Sequence, residues 1–246
     1  MLNDLELEKI ERKYFEYFLT FLSANLNPII NGLNSRIKIL DDWYKTFIKT
    51  ARKGYKSSDL DTGAERIFHH FFASILHIPN SSPIGSDLMF EVYDAFIHIE
   101  VKTALIDNPA DYKGKVNILD RQTSYGSKGI FSPSLPHYYH PKDGKIKPCL
   151  TYVIQVIHEE AKPDIKSLKL ICIPNGQLYS HYKTSIVRRG KVKGKSFRYL
   201  YSANPYFKLL TKNKEEKFRV ELIYLAKNLK VKDITGLTNV PVHFQF

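Results

Sequence analysis

The strongest constraint on the fold is a run of alternating apolar and polar residues at positions 96–103, which read Phe-Ile-His-Ile-Glu-Val-Lys-Thr. Successive side chains of a β-strand point to opposite faces of the sheet, so this period of two predicts a strand. One face of that strand then carries His98, Glu100 and Lys102, while the apolar residues between them point into a core.

A shorter apolar run, 88–90, precedes this strand and is opened by Gly85-Ser86-Asp87. Asp94 lies between the two runs, and aspartate is a common turn residue. We therefore predict a hairpin with Asp94 in its turn. Asp87 lies at the head of the first strand, so the hairpin brings two carboxylates, those of Asp87 and Glu100, onto one sheet beside the lysine.

Two carboxylates with a lysine suit metal-assisted cleavage of a phosphodiester. Mg²⁺ is usually held by one or two carboxylates together with waters and substrate phosphate oxygens. A bound metal lowers the pKa of a coordinated water and polarises the phosphate. Lys102 would orient or deprotonate that water and stabilise the charge of the transition state. The alternative interpretation of the Glu-x-Lys sequence is an exposed salt bridge on a solvated sheet face.

The segment resembles the catalytic hairpin of the PD-(D/E)xK nuclease superfamily, and the whole chain is similar to type II restriction endonucleases. Ser86 occupies the position where that superfamily often has a proline before the aspartate, and Pro83 lies three residues earlier. The resemblance is sharp over residues 83–104 and only architectural elsewhere.

This resemblance implies an α/β fold with a restriction-endonuclease-like core, in which a central mixed β-sheet is flanked by helices and preceded by a helical N-terminal region. It implies that Asp87 and Glu100 bind Mg²⁺, that Lys102 activates the attacking water, and that double-stranded DNA is cut at a short sequence in a restriction-modification system. Because two strands must be cut, it also implies a homodimer. Two alternatives stay open: a structure-selective or repair nuclease, and a non-catalytic DNA-binding protein.

The positive charge is concentrated in the C-terminal third. The net charge is +12, and residues 161–246 contain 18 Lys or Arg against 5 Asp or Glu. Such one-sided charge is typical of binding to the DNA backbone, although a solvated basic surface is the alternative. The densest basic element is 187–198, where alternation with Gly and Val predicts a loop or β-ribbon. Its candidate DNA contacts are Arg188, Arg189, Lys191, Lys193, Lys195 and Arg198.

Further candidates follow from the superfamily resemblance. Some relatives carry a glutamine and a tyrosine after the Glu-x-Lys sequence, so Gln122 and Tyr125 are weak candidates for DNA contacts. A glutamate on the helix before the hairpin often reaches the metal, which makes Glu65 a tentative ligand. The competing interpretation is that Glu65 forms a capping box with Thr62. His98 shares the face of Glu100 and Lys102, so it either touches DNA, tunes the site, or is only a polar residue on the wet face of the sheet.

Other sequence patterns predict the helices and strands in the rest of the chain. Apolar residues at helical spacing predict three N-terminal helices, of which the first ends at Pro28, the second runs to about Gly54 and the third runs from Thr62 to Pro79. A loop of about forty residues, 105–148, follows the hairpin. Apolar runs at 150–157 and 168–173 predict strands, and 218–225 is a strand or a helix. We divide the chain into an N-terminal helical region 1–80 packed on the core, a catalytic nuclease core 81–185, and a basic C-terminal DNA-binding region 186–246 of the same domain.

The composition also points to a compartment. Cys149 and Cys172 lie in or beside apolar runs and are predicted to be reduced core residues. No apolar stretch is long enough to span a membrane, and the acidic N-terminal segment is unlike a signal peptide. We therefore expect a cytoplasmic protein.

Overall fold

The computed structural model describes residues 2–38, 60–75, 86–126, 131, 133–140, 144–160, 164–192, 194–202 and 219–246. Three sequence predictions fall outside these residues. They are the course of the second helix from 39 to Gly54, the end of the third helix at 76–79, and the position of Lys193.

The described part of the N-terminal region is helical, as predicted. Its helices are α1 (Asp4–Ala24), α2 (Leu26–Lys38) and α3 (Leu60–His70, continued by a π-helical turn Phe71–Ile75). Two short helices, α4 (Tyr179–Tyr182) and α5 (Val231–Thr235), lie later in the chain. Asn3 caps α1, and its side chain accepts from the Glu6 amide while the Glu6 carboxylate accepts from the Asn3 amide, both at 2.9 Å. This reciprocal pair satisfies two amides that a helix start leaves without intrahelical partners.

Pro28 does not end a helical segment, which corrects the prediction. It is the third residue of α2, which begins at Leu26 almost directly after α1. A proline lacks an amide hydrogen, but the amides of a first helical turn have no acceptor within the helix, so the residue is tolerated there.

A central mixed sheet forms the core. Its strands are β1 (Leu88–Glu91), β2 (Phe96–Leu105), β5 (Lys147–His158), β6 (Ile165–Ile173), β9 (Val220–Leu225) and β10 (Val242–Gln245), and they are neighbours in that order; a short strand, β4 (Tyr138–Tyr139), pairs with β5. Strand β2 is parallel to β5 and β9 is parallel to β10, while the other pairs are antiparallel. The mixed α/β fold is confirmed, and the ambiguous segment 218–225 contributes a strand.

The middle of the sheet is buried, and helix α1 covers one of its faces. Strands β5 and β6 are buried along almost their whole length, as their apolar composition predicts for central strands. On one face α1 packs its apolar stripe, and the Phe18 ring meets the Tyr152 ring of β5 with centroids 5.1 Å apart. The same helix is joined to the sheet by a fully buried ion pair between Glu11 and Arg219 at 2.6 Å.

The segment 105–148 is more ordered than predicted. It contains β3 (Val116–Leu119) and β4, and β3 pairs with β8 (Ser196–Tyr199), which in turn pairs with β7 (Val187–Arg189). The resulting three-stranded sheet, β3-β8-β7, contains the basic element, which is therefore a β-ribbon as predicted. The short β3 was missed because it is flanked by turn residues.

The two cysteines are free and buried, in agreement with the sequence prediction. Within the described part of the chain, no helix combines the length and the apolar character needed to cross a membrane.

Candidate active site

The hairpin formed by β1 and β2 places the predicted residues together. Leu88 pairs with Ile99 across the two strands, so Asp87, one residue earlier, lies next to Glu100. The Asp87 carboxylate accepts a hydrogen bond of 2.6 Å from the Val101 amide. This bond fixes the carboxylate against the strand that carries the second acid. Asp94 lies in the turn between the strands, as predicted.

Glu100 and Lys102 lie on the same face of β2, and they form an ion pair that is only partly satisfied. Lys102 Nζ lies 3.1 Å from Glu100 Oε2; the Lys102 side chain is 22% exposed and the Glu100 side chain is fully buried. Glu100 Oε1 is buried and has no hydrogen-bond partner among the described residues. The arrangement is therefore not the exposed salt bridge of the alternative interpretation.

Two effects disfavour the charged form of Glu100, namely its burial and the neighbouring acid Asp87. Burial raises the pKa of Glu100 well above its usual range, Lys102 lowers it in part, and the adjacent Asp87 raises it again. Two neighbouring carboxyl groups disfavour each other's ionisation, and a buried carboxylate oxygen without a donor adds to the cost. A cation between the two carboxyl groups would remove both penalties.

The donor set fits Mg²⁺ better than a transition metal. No cluster of three or more His, Cys, Asp or Glu side chains with metal-binding geometry occurs in the described ranges. Mg²⁺ needs no such cluster, because it retains several waters and binds one or two carboxylates together with substrate phosphates. Asp87 and Glu100 supply oxygen ligands of that kind, and the orphaned Glu100 Oε1 is an available one.

His98 does not face solvent, nor is it available to DNA. It is fully buried, and its ring nitrogens hydrogen-bond to Ser86 Oγ and to the Tyr139 hydroxyl, both at 2.9 Å. Burial lowers the pKa of His98 to about 4, so the imidazole is neutral near pH 7. Strand alternation correctly assigned it to the face of Glu100, but Tyr139 of β4 covers that position, and the sequence gives no sign of this cover.

The basic β-ribbon presents a polar row on one face of the three-stranded sheet. Arg188 pairs with Arg198, which pairs with Asn117 of β3, so three neighbouring strands place these side chains side by side. The residues that flank this row, Val187, Tyr199 and Val116, are buried on the other face. Arg198 Nε has no partner among the described residues. Asn117 was not recognised from the sequence, since its position beside the arginines depends on strand pairing.

The other basic candidates of the ribbon are exposed. Arg189, Lys191 and Lys195 all present their side chains to solvent. Lys191 Nζ lies 2.6 Å from Asp111 Oδ2, and Asp111 Oδ1 accepts from the Asn117 amide at 3.3 Å. Asp111 therefore links the tip of the ribbon to the polar row.

Gln122 and Tyr125 are not on a DNA-accessible surface, which argues against the contacts expected from the resemblance. Tyr125 is fully buried and its hydroxyl donates to the Lys183 carbonyl. Gln122 is also buried, and its side-chain oxygen accepts from the Leu119 amide. Gln122 stabilises the turn that follows β3, and Tyr125 joins the end of this turn to Lys183.

Glu65 is exposed on α3, and this helix does not begin at Thr62, as the capping-box interpretation requires. The helix already includes Leu60, so Thr62 lies inside its first turn rather than at the cap position, and Glu65 lies in the second turn. Helix α3 packs against β2. The role of Glu65 as a metal ligand stays a prediction.

Family models of restriction enzymes match most of the chain. The N-terminal domain of the type II restriction enzyme MwoI matches residues 3–162, and the central domain of the same enzyme matches residues 165–225. The chain belongs to the MwoI family of type II restriction enzymes. No curated protein matches it. Membership of the MwoI family identifies a site-specific deoxyribonuclease, which decides against the repair nuclease and the non-catalytic DNA-binding protein.

Solved structures support the fold of this MwoI-family chain. The restriction endonuclease BglI, bound to its DNA recognition sequence, matches with a TM-score of 0.60 and 14% identity over 87% of this chain and 90% of its own. The tetrameric restriction endonuclease SfiI, bound to cognate DNA, matches with a TM-score of 0.56 and 13% identity over 89% of this chain and 85% of its own. At these identities the likeness shows the restriction-endonuclease fold.

Proposed function

We propose that this restriction enzyme hydrolyses DNA phosphodiesters with Mg²⁺ held by Asp87 and Glu100, and that Lys102 positions the attacking water. The observation that carries the proposal is the Glu100 carboxylate, which is fully buried beside a second acid and has one oxygen without a partner among the described residues. A side chain in that state costs folding free energy, and binding a divalent cation would offset this cost.

Each residue has a distinct role in this mechanism. The metal, when bound, lowers the pKa of a water and polarises the scissile phosphate. Asp87 is held by the Val101 amide and offers its carboxylate from the start of β1. Glu100 offers its orphaned oxygen from β2. Lys102 shares one of its three ammonium hydrogens with Glu100 and remains partly exposed, so the others reach a water or a phosphate oxygen.

We also propose that the β-ribbon binds duplex DNA. The polar row of Arg188, Arg198 and Asn117 combines guanidinium groups, which bind guanine edges or phosphates, with an amide suited to adenine. Arg189, Lys191 and Lys195 are exposed on the same basic element, and together with Lys193 they would bind phosphates. We further propose Glu65 as a third carboxylate for the metal site.

The assembly and the setting are proposals of the same kind. A homodimer would supply one active site for each DNA strand, since the described chain contains one hairpin of this type. Light scattering of the protein with and without duplex DNA tests the stoichiometry. The cellular role we propose is restriction within a restriction-modification system, in the cytoplasm.

Cleavage assays test the metal proposal directly. Unmethylated phage and plasmid DNA is incubated with the wild type and with Lys102→Ala, in Mg²⁺ or in EDTA. We expect discrete Mg²⁺-dependent fragments from the wild type, whose ends define the recognition site, and intact DNA from the variant. The matched control is Lys147→Ala, which removes a lysine paired with Glu91 at the turn end of the same hairpin. Cleavage in EDTA, or equal cleavage by Lys102→Ala, would contradict the proposal.

A further inference from the structure

A chain of three hydrogen-bonded side chains lies directly beside the catalytic hairpin. Ser86 Oγ lies 2.9 Å from His98 Nδ1, and His98 Nε2 lies 2.9 Å from the Tyr139 hydroxyl. The Tyr139 ring also stacks on the imidazole, with centroids 5.7 Å apart and planes 18° from parallel. Ser86 and His98 are buried, and the hydroxyls of Ser86 and Tyr139 can each donate or accept, so both bonds form with either tautomer of the neutral imidazole.

The chain connects three separate elements of the fold. Ser86 immediately precedes Asp87, His98 lies on β2 two residues before Glu100, and Tyr139 belongs to β4, which pairs with β5. Asp87 is therefore held from both sides. The residue that follows Asp87, Leu88, begins the pairing of β1 with β2. The residue that precedes it, Ser86, hydrogen-bonds His98 on the strand that carries Glu100.

A buried histidine is more often a satisfied core residue than a functional one. A functional role for His98 must therefore be argued from its position in the fold. Here the imidazole of His98 hydrogen-bonds Ser86, which directly precedes Asp87. His98 itself lies on β2, two residues before Glu100. The spacing between Asp87 and Glu100 thus depends on this link, in addition to the hydrogen bond from the Val101 amide to Asp87. In metal sites, such outer partners orient the ligands, and their loss commonly weakens metal binding about 10- to 100-fold.

We infer that His98, with Ser86 and Tyr139 as its partners, is a positioning residue that sets the geometry of the Asp87–Glu100 pair for a divalent cation. This inference rests on the proposed metal site and deepens it. It assigns the histidine to the outer layer of that site, with no contact to DNA. It also explains why serine at position 86, rather than the proline common in the superfamily, suits this chain: the hydroxyl supplies the tie.

The test compares metal affinity among variants that change single hydroxyl groups. Ser86→Ala removes one end of the chain, Ser86→Thr retains a hydroxyl, and Tyr139→Phe removes the other end. Tyr138→Phe is the matched control, because Tyr138 is on the same short strand but its hydroxyl donates to Gln177. Binding of Mn²⁺ to each purified protein is followed by loss of the free-ion signal in electron paramagnetic resonance. The Mg²⁺ midpoint of DNA cleavage is the second readout, and the melting temperature is the third.

We expect the Mn²⁺ and Mg²⁺ midpoints of Ser86→Ala to rise about 10-fold and those of Tyr139→Phe to rise by less, with Ser86→Thr and Tyr138→Phe close to the wild type. DNA binding in EDTA should be the same in all five proteins. A lower melting temperature with unchanged midpoints would show a merely structural role and overturn the inference, while leaving the metal site intact. Glu100→Gln separates the two proposals: if it binds Mn²⁺ as the wild type does, the metal site itself fails, and the inference fails with it.

Discussion

Two buried glutamates of this protein differ in how completely they are satisfied. Glu11 on α1 and Glu100 on β2 are both inaccessible to solvent and both lie beside a basic side chain. Glu11 accepts from Arg219 Nη2 with one oxygen and from the Asn175 amide with the other. Glu100 accepts from Lys102 with one oxygen, and its second oxygen lacks a partner among the described residues.

This difference separates a structural ion pair from a candidate catalytic one. Burial raises the pKa of both glutamates, so this shift does not distinguish them. Both oxygens of Glu11 have donors, and although burial disfavours the charged guanidinium, the Glu11 carboxylate holds the pKa of Arg219 well above its usual range. Glu100 has a second acid, Asp87, beside it and one oxygen without a donor among the described residues. Burial of an acid is thus a poor marker of function, whereas incomplete pairing of a buried acid is an informative one.

The largest effect should come from Glu100→Gln. The amide keeps the size of the side chain but loses the charge that would bind the cation, so we expect cleavage to fall on the order of 10⁴-fold. The unfolding free energy should stay the same or increase, because a buried charge is removed. Single-turnover cleavage and urea unfolding measure the two quantities. A large loss of stability would place Glu100 in the same class as Glu11.

Glu11→Ala should give the opposite result. It leaves Arg219 buried and charged without its carboxylate, which costs about 4 kcal/mol of unfolding free energy. Urea unfolding measures this cost, and cleavage per folded molecule should be unchanged. A double replacement, Glu11→Leu with Arg219→Met, should recover much of the stability, and failure to recover it would show that the pair contributes more than its charges.

Lys169 adds a third buried ionisable group to the comparison and gives a pH dependence. Its side-chain nitrogen hydrogen-bonds the Tyr112 carbonyl and the Tyr201 hydroxyl, and burial lowers its pKa well below the usual value. Between the folded and unfolded pKa values the unfolded chain binds more protons, so the unfolding free energy rises with pH. We expect the wild type to gain up to about 1.4 kcal/mol per pH unit relative to Lys169→Met as the pH rises from 7 to 9. Parallel stability profiles of the two proteins would contradict this assignment.

The smallest effect is expected at an exposed pair. Arg12 and Glu16 lie one turn apart on α1 at 2.7 Å, with side chains 38% and 56% exposed. Water screens both charges, so Arg12→Ala should change the unfolding free energy by no more than about 0.5 kcal/mol. A change as large as that of Glu11→Ala would mean that burial does not separate these pairs.

The hairpin could be predicted from the sequence because its information is local. The period of two at 96–103 determines which residues share a face with Glu100, and Asp94 marks the turn. Apolar runs likewise predicted strands at 150–157 and 168–173, and the alternating composition of the basic element predicted a loop or a β-ribbon. These features need only the neighbours of each residue along the chain.

The surroundings of the site could not be predicted, since they come from distant segments. The cover over His98 comes from Tyr139, and the partners of Arg198 come from β3, in a segment that the sequence suggested was a loop. Tyr125 is buried against Tyr199, which lies 74 residues later in the chain, because β8 returns beside the turn that follows β3. Side-chain exposure on a sheet is a tertiary property, and a strand pattern alone does not fix it.

The parallel ladder between β2 and β5 has a consequence for how the protein folds. Ten residue pairs join 96–105 to 147–158, so the chain must close a loop of some forty residues before the central pairing begins. Pairings this distant in sequence slow folding, whereas the β1–β2 hairpin closes quickly. During synthesis, Glu100 would thus remain on an unpaired strand edge until β5 has emerged. A nuclease assembled in this order acquires its cutting site late, after most of the chain has been made.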